Sequence, residues 1–275
     1  MIQAQNVDCH SDFHYSRAKG YALYKAGAYT SVWSNGKPLL GVLAGNLYQI
    51  HDDFSTTFLL GSVGSNEMSY ESVSDVSAEV IYFTNGTVIG KIRNGVASSL
   101  RTATGDFKAN LPPGNLIRYF LGSLYVVAGK VMYISDVLNR EIYDRRWGFK
   151  LFESEITLFE AVQDGFFTSD KDNTYFMQRK GSTQEVAAAP IFTLTKLCKG
   201  AVPGTGCRVE NVTSPSGKTI DKGVIWVSGN TLCLGGDGGV FEEIRSDVYA
   251  VPSSRIGTSM VRKSGDLNQY ITIVR

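Results

Sequence analysis

A hairpin pattern recurs along this chain about every forty-two residues, and that period constrains the fold more than any other feature. Gly45 opens "GNLYQI", Gly86 opens "GTVIGKI" and Gly129 opens "GKVMYIS", giving steps of 41 and 43 residues. Tyr133 in "VMYI" and Tyr175 in "TYFM" stand 42 apart. The clearest copy is "VIYFTNGTVIGKIRNG" (80–95), in which β-branched and aromatic runs flank Asn85-Gly86 and a second Asn-Gly follows at Asn94-Gly95. Asn-Gly in that setting predicts a type I′ hairpin turn, which needs φ > 0 at both central residues. Weaker copies are "WSNGKPLLGVLAGNLYQI" (33–50), "GSLYVVAGKVMYISD" (122–136), "DGFFTSDKDNTYFM" (164–177) and "KGVIWVSGNTLCLGGDGGVFEEI" (222–244).

A period of this length with about four short strands per unit is the signature of a β-propeller. One such sheet cannot bury both of its faces alone; stacking the sheets radially covers them and leaves only short edges. The expected fold is therefore all-β, with a two-sheet sandwich or jelly roll as the alternative. Five units are readable, at about 29–60, 68–101, 114–150, 156–190 and 205–250. The remaining ends, 11–27 and 256–275, both read as strands. Pairing the N- and C-terminal strands in a shared blade would close a ring of six. Residues 1–275 then form a single domain, with 1–12 a flexible arm and 189–220 a long insertion loop that delays the last unit. "SEITLFEAV" (154–162) is the best helix candidate and reads better as strand. Gly is 29 of 275 residues and Pro only 7, which suits many tight turns without disorder.

The net charge of +1 argues against free nucleic-acid binding, which needs a strong basic stripe. Contact with DNA would be incidental, in a neutral lumen. The N-terminus has no apolar core of a signal peptide, and no apolar run approaches a membrane span. Cys9, Cys198, Cys207 and Cys233 form no C-x-x-C pair and read as reduced thiols, although the spacing leaves room for a Cys198–Cys207 bridge.

"TSDKDNTY" (168–175) nearly fits the Asp box, Ser/Thr-x-Asp-x-Gly-x-Thr-aromatic. Thr168, Asp170, Thr174 and Tyr175 fit, and Asp172 stands where the motif has Gly. The expected role is structural: the Asp170 carboxylate braces a hairpin turn through backbone amides. "SPSGKT" (214–219) lacks the first P-loop glycine, because Val212 occupies that position. Asp237 in "LGGDGGVF" is a turn residue, since one copy cannot build a stacked calcium site. His10, His14 and His51 are the only histidines, which removes support for most His-based nucleophilic mechanisms. His10, Asp12 and His14 lack a fourth metal ligand. No cofactor, metal or catalytic set is expected. The remaining cluster is "SDVLNREIYDRRWGFKLF" (135–152), where Arg140, Tyr143, Arg145, Arg146 and Trp147 are residue types enriched in binding hot spots. Either Trp147 folds back on its own blade or the segment is a protein–protein contact.

Several phrases taken in order resemble the β-propeller virion proteins of tailed bacteriophages. They are "YSRAKGY" (15–21), "AYTSVWSNG" (28–36), "LAGNLYQI" (43–50) and "LPPGNLIRYFLGSLYVVAGKVMYISD" (111–136). After them come Ser135, Asp136, Leu138, Glu141, Tyr143 and Asp144, then "ITLFEAVQDGFFTSDKDNTYFM" (156–177) and "GVIWVSGNTLCLGGDGG" (223–239). Val137 stands where Pro is expected. The resemblance implies a non-enzymatic structural component of the tail or head–tail junction. It would be made in the host cytoplasm and built into a symmetric assembly with other virion proteins. The alternatives are a receptor- or carbohydrate-binding propeller at the tail tip, and a cellular propeller scaffold.

Overall fold

The computed structural model describes residues 7–9, 15–17, 27–36, 38–75, 78–137, 139–180, 191–214, 216–244, 256–264 and 267–274. Among them the protein is all-β, with a single 3-10 turn at Asp237–Gly239. Five four-stranded antiparallel sheets follow one another along the chain. The first holds Thr30–Ser34, Leu39–Leu43, Asn46–Ile50 and Thr56–Leu60. The second holds Ser69–Ser74, Glu79–Thr84, Ile89–Arg93 and Val96–Ser98. The third holds Leu116–Phe120, Ser123–Ala128, Val131–Ile134 and Phe149–Leu151. The fourth holds Ile156–Ala161, Phe166–Asp170, Asn173–Lys180 and Ile191–Lys199. The fifth holds Cys207–Thr213, Thr219–Ser228, Thr231–Gly236 and Val240–Ile244. Each is a meander, so the five units of the repeat are five sheets.

Consecutive sheets share cores, and the period-two alternation of strands explains how. Phe83 points toward the first sheet, among Leu40, Val42 and Leu47, while its neighbour Tyr82 points toward Ile117, Leu124 and Val126 of the third. Phe166 packs on Phe120 and Tyr125 of the third sheet, with ring centres 4.7 and 4.8 Å away. The next residue, Phe167, packs on Trp226 of the fifth, 5.4 Å away. Gly235 lies under that ring, where a Cβ would come within 2.4 Å of it. A strand buried on both faces has no polar face, which is why "VIYF" and "LYVV" run apolar without a break.

Buried hydroxyls on the second strand of one sheet tie it to the segment leading into the next. Thr84 Oγ1 accepts from Gly114 N at 2.9 Å, just before the third sheet begins. Ser169 Oγ accepts from Ala201 N at 2.7 Å, just before the fifth. Between the fourth and fifth sheets, Asp237 Oδ1 accepts from Gln163 N and Asp164 Oδ1 from Gly238 N.

The first strands of four sheets meet. Glu71, Arg118, Glu160 and Arg208 each sit on the first strand of the second, third, fourth and fifth sheets respectively. Arg118 and Arg208 both donate to Glu160, and Arg208 Nη2 reaches Glu71 Oε2 at 2.8 Å. Glu71 and Arg208 are 137 residues apart, so the row of sheets bends back toward its own beginning.

Three expectations are corrected. At Asn94-Gly95 both residues have φ > 0 (51° and 74°) and form the expected two-residue turn, with Arg93 opposite Val96. At Asn85-Gly86 only Gly86 does, because Thr84 pairs with Ile89 and the turn spans four residues. The Asn85 side chain holds that turn instead, its Oδ1 accepting from Thr87 N and Val88 N. Residues 189–220 are not a long loop: Ile191–Lys199 and Cys207–Thr213 are full strands of the fourth and fifth sheets. The termini, finally, are not paired with each other among the described residues. Gly257–Ser264 pairs with Leu267–Val274, and Val7–Cys9 with Tyr15–Arg17. The C-terminal hairpin covers the outer face of the fifth sheet through Val261 and Tyr270. Of the arm expected at 1–12, the residues outside Val7–Cys9 lie outside the described ones.

Candidate functional site

The segment after Ile134 leaves the third sheet before its fourth strand. Ile142–Asp144 pairs antiparallel with Lys108–Asn110, from the connection between the second and third sheets. This small ladder brings Phe107 and Lys108 beside the Arg-rich turn, and Arg145 N donates to the Phe107 carbonyl at 2.8 Å.

Asp144 organises the turn. It is buried, and its Oδ1 accepts from Arg146 N and Nε, both at 3.0 Å. Its Oδ2 accepts from Arg146 Nη2 at 2.8 Å and lies 3.4 Å from Lys108 Nζ. The Arg146 hydrogen bonds, with Lys108 in support, hold the Asp144 carboxyl well below the usual carboxylate range. The pinned guanidinium lies over the Trp147 ring at 3.8 Å and the Phe107 ring at 4.5 Å. Phe107 is 57% exposed. The adjoining edge strand exposes Phe149 and Leu151. Arg146, Trp147 and Phe107 thus form a preorganised cation–aromatic platform on the surface.

Of the five residues read from the sequence, the structure brings Arg145, Arg146 and Trp147 together and turns the other two elsewhere. Tyr143 packs edge-on against Tyr133, with ring centres 5.2 Å apart. Arg140 lies over Tyr119 and lines a polar cleft of about 700 Å³ between the second sheet and the segment from Val137 to Glu141. Lys91, Arg93 and Arg101 line the same cleft, where Glu141 accepts from Lys91 Nζ at 2.6 Å and from Arg101 N. Phe107 and Lys108 were missed, because their link to the platform is a pairing across more than thirty residues.

The Asp-box residues divide as well. Asp170 Oδ1 accepts from Asp172 N at 2.8 Å and Asn173 N at 2.7 Å, the expected brace. Thr174 Oγ1 donates to the Lys199 carbonyl. Thr168 and Tyr175 form a cross-strand pair on the two strands that the turn joins. Ser169, which the motif leaves unspecified, supplies the tie to Ala201.

Among the described residues no group of three His, Cys, Asp or Glu could hold a metal ion, and no helix is long and apolar enough to cross a membrane. His51 is exposed, with Nε2 2.8 Å from Thr57 Oγ1; His10, Asp12 and His14 lie outside the described residues. No protein-family profile matches the chain, and no curated protein matches it.

Proposed function

We propose that this chain is a β-propeller assembly component of a tailed-bacteriophage virion, placed in the tail or at the head–tail junction, that works by protein–protein contact rather than catalysis. It is made in the host cytoplasm and joins a symmetric assembly with other virion proteins. The order of phrases along the sequence supports the phage origin. The ion network of Glu71, Arg118, Glu160 and Arg208 supports the propeller, because first strands gathered at a common centre are what a propeller places around its axis. Exposed apolar residues at the two ends of the row, Val32 on the first sheet and Met260 and Ile273 on the C-terminal hairpin, fit a ring whose last interface forms there. Charges of both signs in this network make no basic lining that would hold DNA, so contact with DNA there would be incidental.

The observation that carries the functional reading is the platform of Arg146, Trp147 and Phe107. Arg and Trp dominate binding hot spots, where one side chain contributes roughly 2 kcal/mol or more. A symmetric assembly repeats each such contact in every subunit. Replacing Arg146 and Trp147 together with alanine should leave a folded chain that fails to enter particles. The test is complementation of a phage lacking this gene, counting infectious particles and the variant's incorporation. Normal titre with normal incorporation would remove the platform from assembly.

The tail-tip reading draws on a different observation, the cleft lined by Lys91, Arg93, Arg101 and Arg140 together with Asp75 and Glu141, in which Glu141 pairs with Lys91 and Asp75 with Arg93. A glycan bound there would make Arg101→Ala and Arg140→Ala lose adsorption to host cells while particles still assemble.

A further inference from the structure

Two thiols face each other across the core shared by the fourth and fifth sheets. Cys198 lies near the end of Ile191–Lys199, and Cys233 lies within Thr231–Gly236. Their Sγ atoms are 4.0 Å apart. Cys233 is fully buried, whereas Cys198 is only half-buried and so open to a small reagent. Both belong to the cluster built on Phe167, Val224 and Trp226. Cys207, the partner that sequence spacing offered to Cys198, belongs instead to the cluster on the far face of the fifth sheet.

We infer that Cys198 and Cys233 are a redox pair that closes to a disulfide on exposure to a small-molecule disulfide oxidant, locking the fourth sheet to the fifth. A bond of about 2.05 Å requires the sulfurs to approach by roughly 2 Å, within reach of side-chain rotation. The Cys198 thiolate attacks one sulfur of the oxidant, forming a mixed disulfide and releasing one thiolate. The Cys233 thiol loses its proton and attacks the Cys198 sulfur, and the second oxidant thiol leaves. Two protein thiols are oxidised and one oxidant disulfide is reduced to two thiols. The order follows from access and ionisation. Hydrogen bonding from Cys233, then Ser228 and Thr174, holds the Cys198 thiol below its ordinary range. The same contact and burial push Cys233 up. Cys207 is pushed up to about 12, by burial and by Glu160 beside it, which makes it a poor competitor.

The test treats the full chain with oxidised glutathione, then combines thiol titration, intact mass, peptide mapping and thermal melting. Two thiols should disappear with the loss of two hydrogen atoms, and the Cys198 and Cys233 peptides should be joined. The melting temperature should rise by roughly 5–10 °C and fall back with dithiothreitol. Cys207→Ser should behave like the parent and Cys198→Ser should lose the response. Three outcomes would each overturn the proposal: glutathione retained on Cys198 with Cys233 still reduced, a bridge between any other pair, or both thiols unreacted. Mapping is done on the unsubstituted chain, so the result does not depend on whether a Cys233 variant folds.

Discussion

At residue scale, Asp170 shows what a short polar side chain does in a tight turn. Its carboxylate replaces the partners that the amides of Asp172 and Asn173 lose when the chain reverses. Asn85 does the same work in the second sheet, with Thr84 before it where Ser169 precedes Asp170. Asp170→Ala should cost about 1–3 kcal/mol, the range for hydrogen bonds to a charged group and for donors left unmet. Chemical denaturation would read this as a lower midpoint at unchanged slope, and an unchanged midpoint would show that the brace contributes nothing. This role was legible in the sequence, because Asp170 falls at the Asp position of a near-match to the Asp box between two apolar runs. The platform was only half legible. Arg146 and Trp147 are adjacent in the chain, but Asp144 as their anchor and Phe107 as the second ring depend on a strand pairing that no local pattern announces. The four charges of the central network were also missed. Nothing local marks them, and only setting "SYES", "LIRY", "LFEA" and "CRVE" side by side as first strands shows that every unit from the second onward carries a charge there.

At the scale of elements, the C-terminal hairpin acts as a lid on the fifth sheet. Val261 and Tyr270 lie against Val209, Ile220, Ile225 and Leu234, and the Tyr270 hydroxyl donates to the Thr205 carbonyl at 2.7 Å. Thr205 is itself buried, and its Oγ1 accepts from Val227 N, so this contact links the hairpin to the second strand of the fifth sheet. Tyr270→Phe should cost roughly 1 kcal/mol, the net worth of one hydrogen bond. A chain ending at Arg255 should lose far more, because it exposes the whole apolar face; it should melt lower and bind a hydrophobic dye. An undiminished melting temperature for the truncated chain would refute the lid. The hairpin pattern of the sheets was legible because period-two runs and Gly turns are local. Where the end strands pair was not, since a terminal strand carries no sign of whether its partner is its neighbour or the other end of the chain. Length misled at 189–220 too: Thr219–Ser228 is ten residues and Ile191–Lys199 nine, so long strands filled the space that the average period assigned to a loop.

At the scale of the whole molecule, the ion network of Glu71, Arg118, Glu160 and Arg208 shows that the row of sheets is not a straight stack. In a straight stack the second and fifth sheets would be two sheets apart and could not touch; Arg208 touches Glu71 and Glu160 at once. Burial pushes the Glu160 carboxyl up, and Arg118 and Arg208 beside it more than reverse this, so its net shift is downward from 4.5. A carboxyl depressed in the folded state stabilises the fold above its unfolded pKa, and that contribution is lost as the pH falls through the folded value. Glu160→Gln keeps the shape and removes the charge, leaving the Arg118 guanidinium without its anion in a largely enclosed site. Removing one partner of a buried pair costs about 3–5 kcal/mol; Arg208 is well exposed and can rehydrate, which favours the lower end here. The variant should therefore melt well below the parent at pH 7. Between pH 4.5 and the acid limit the two should converge, because the parent's Glu160 becomes neutral as well. A gap that stayed constant down to pH 3 would mean that the loss does not come from the charge of Glu160, and the ion network would then not be what draws the four first strands together.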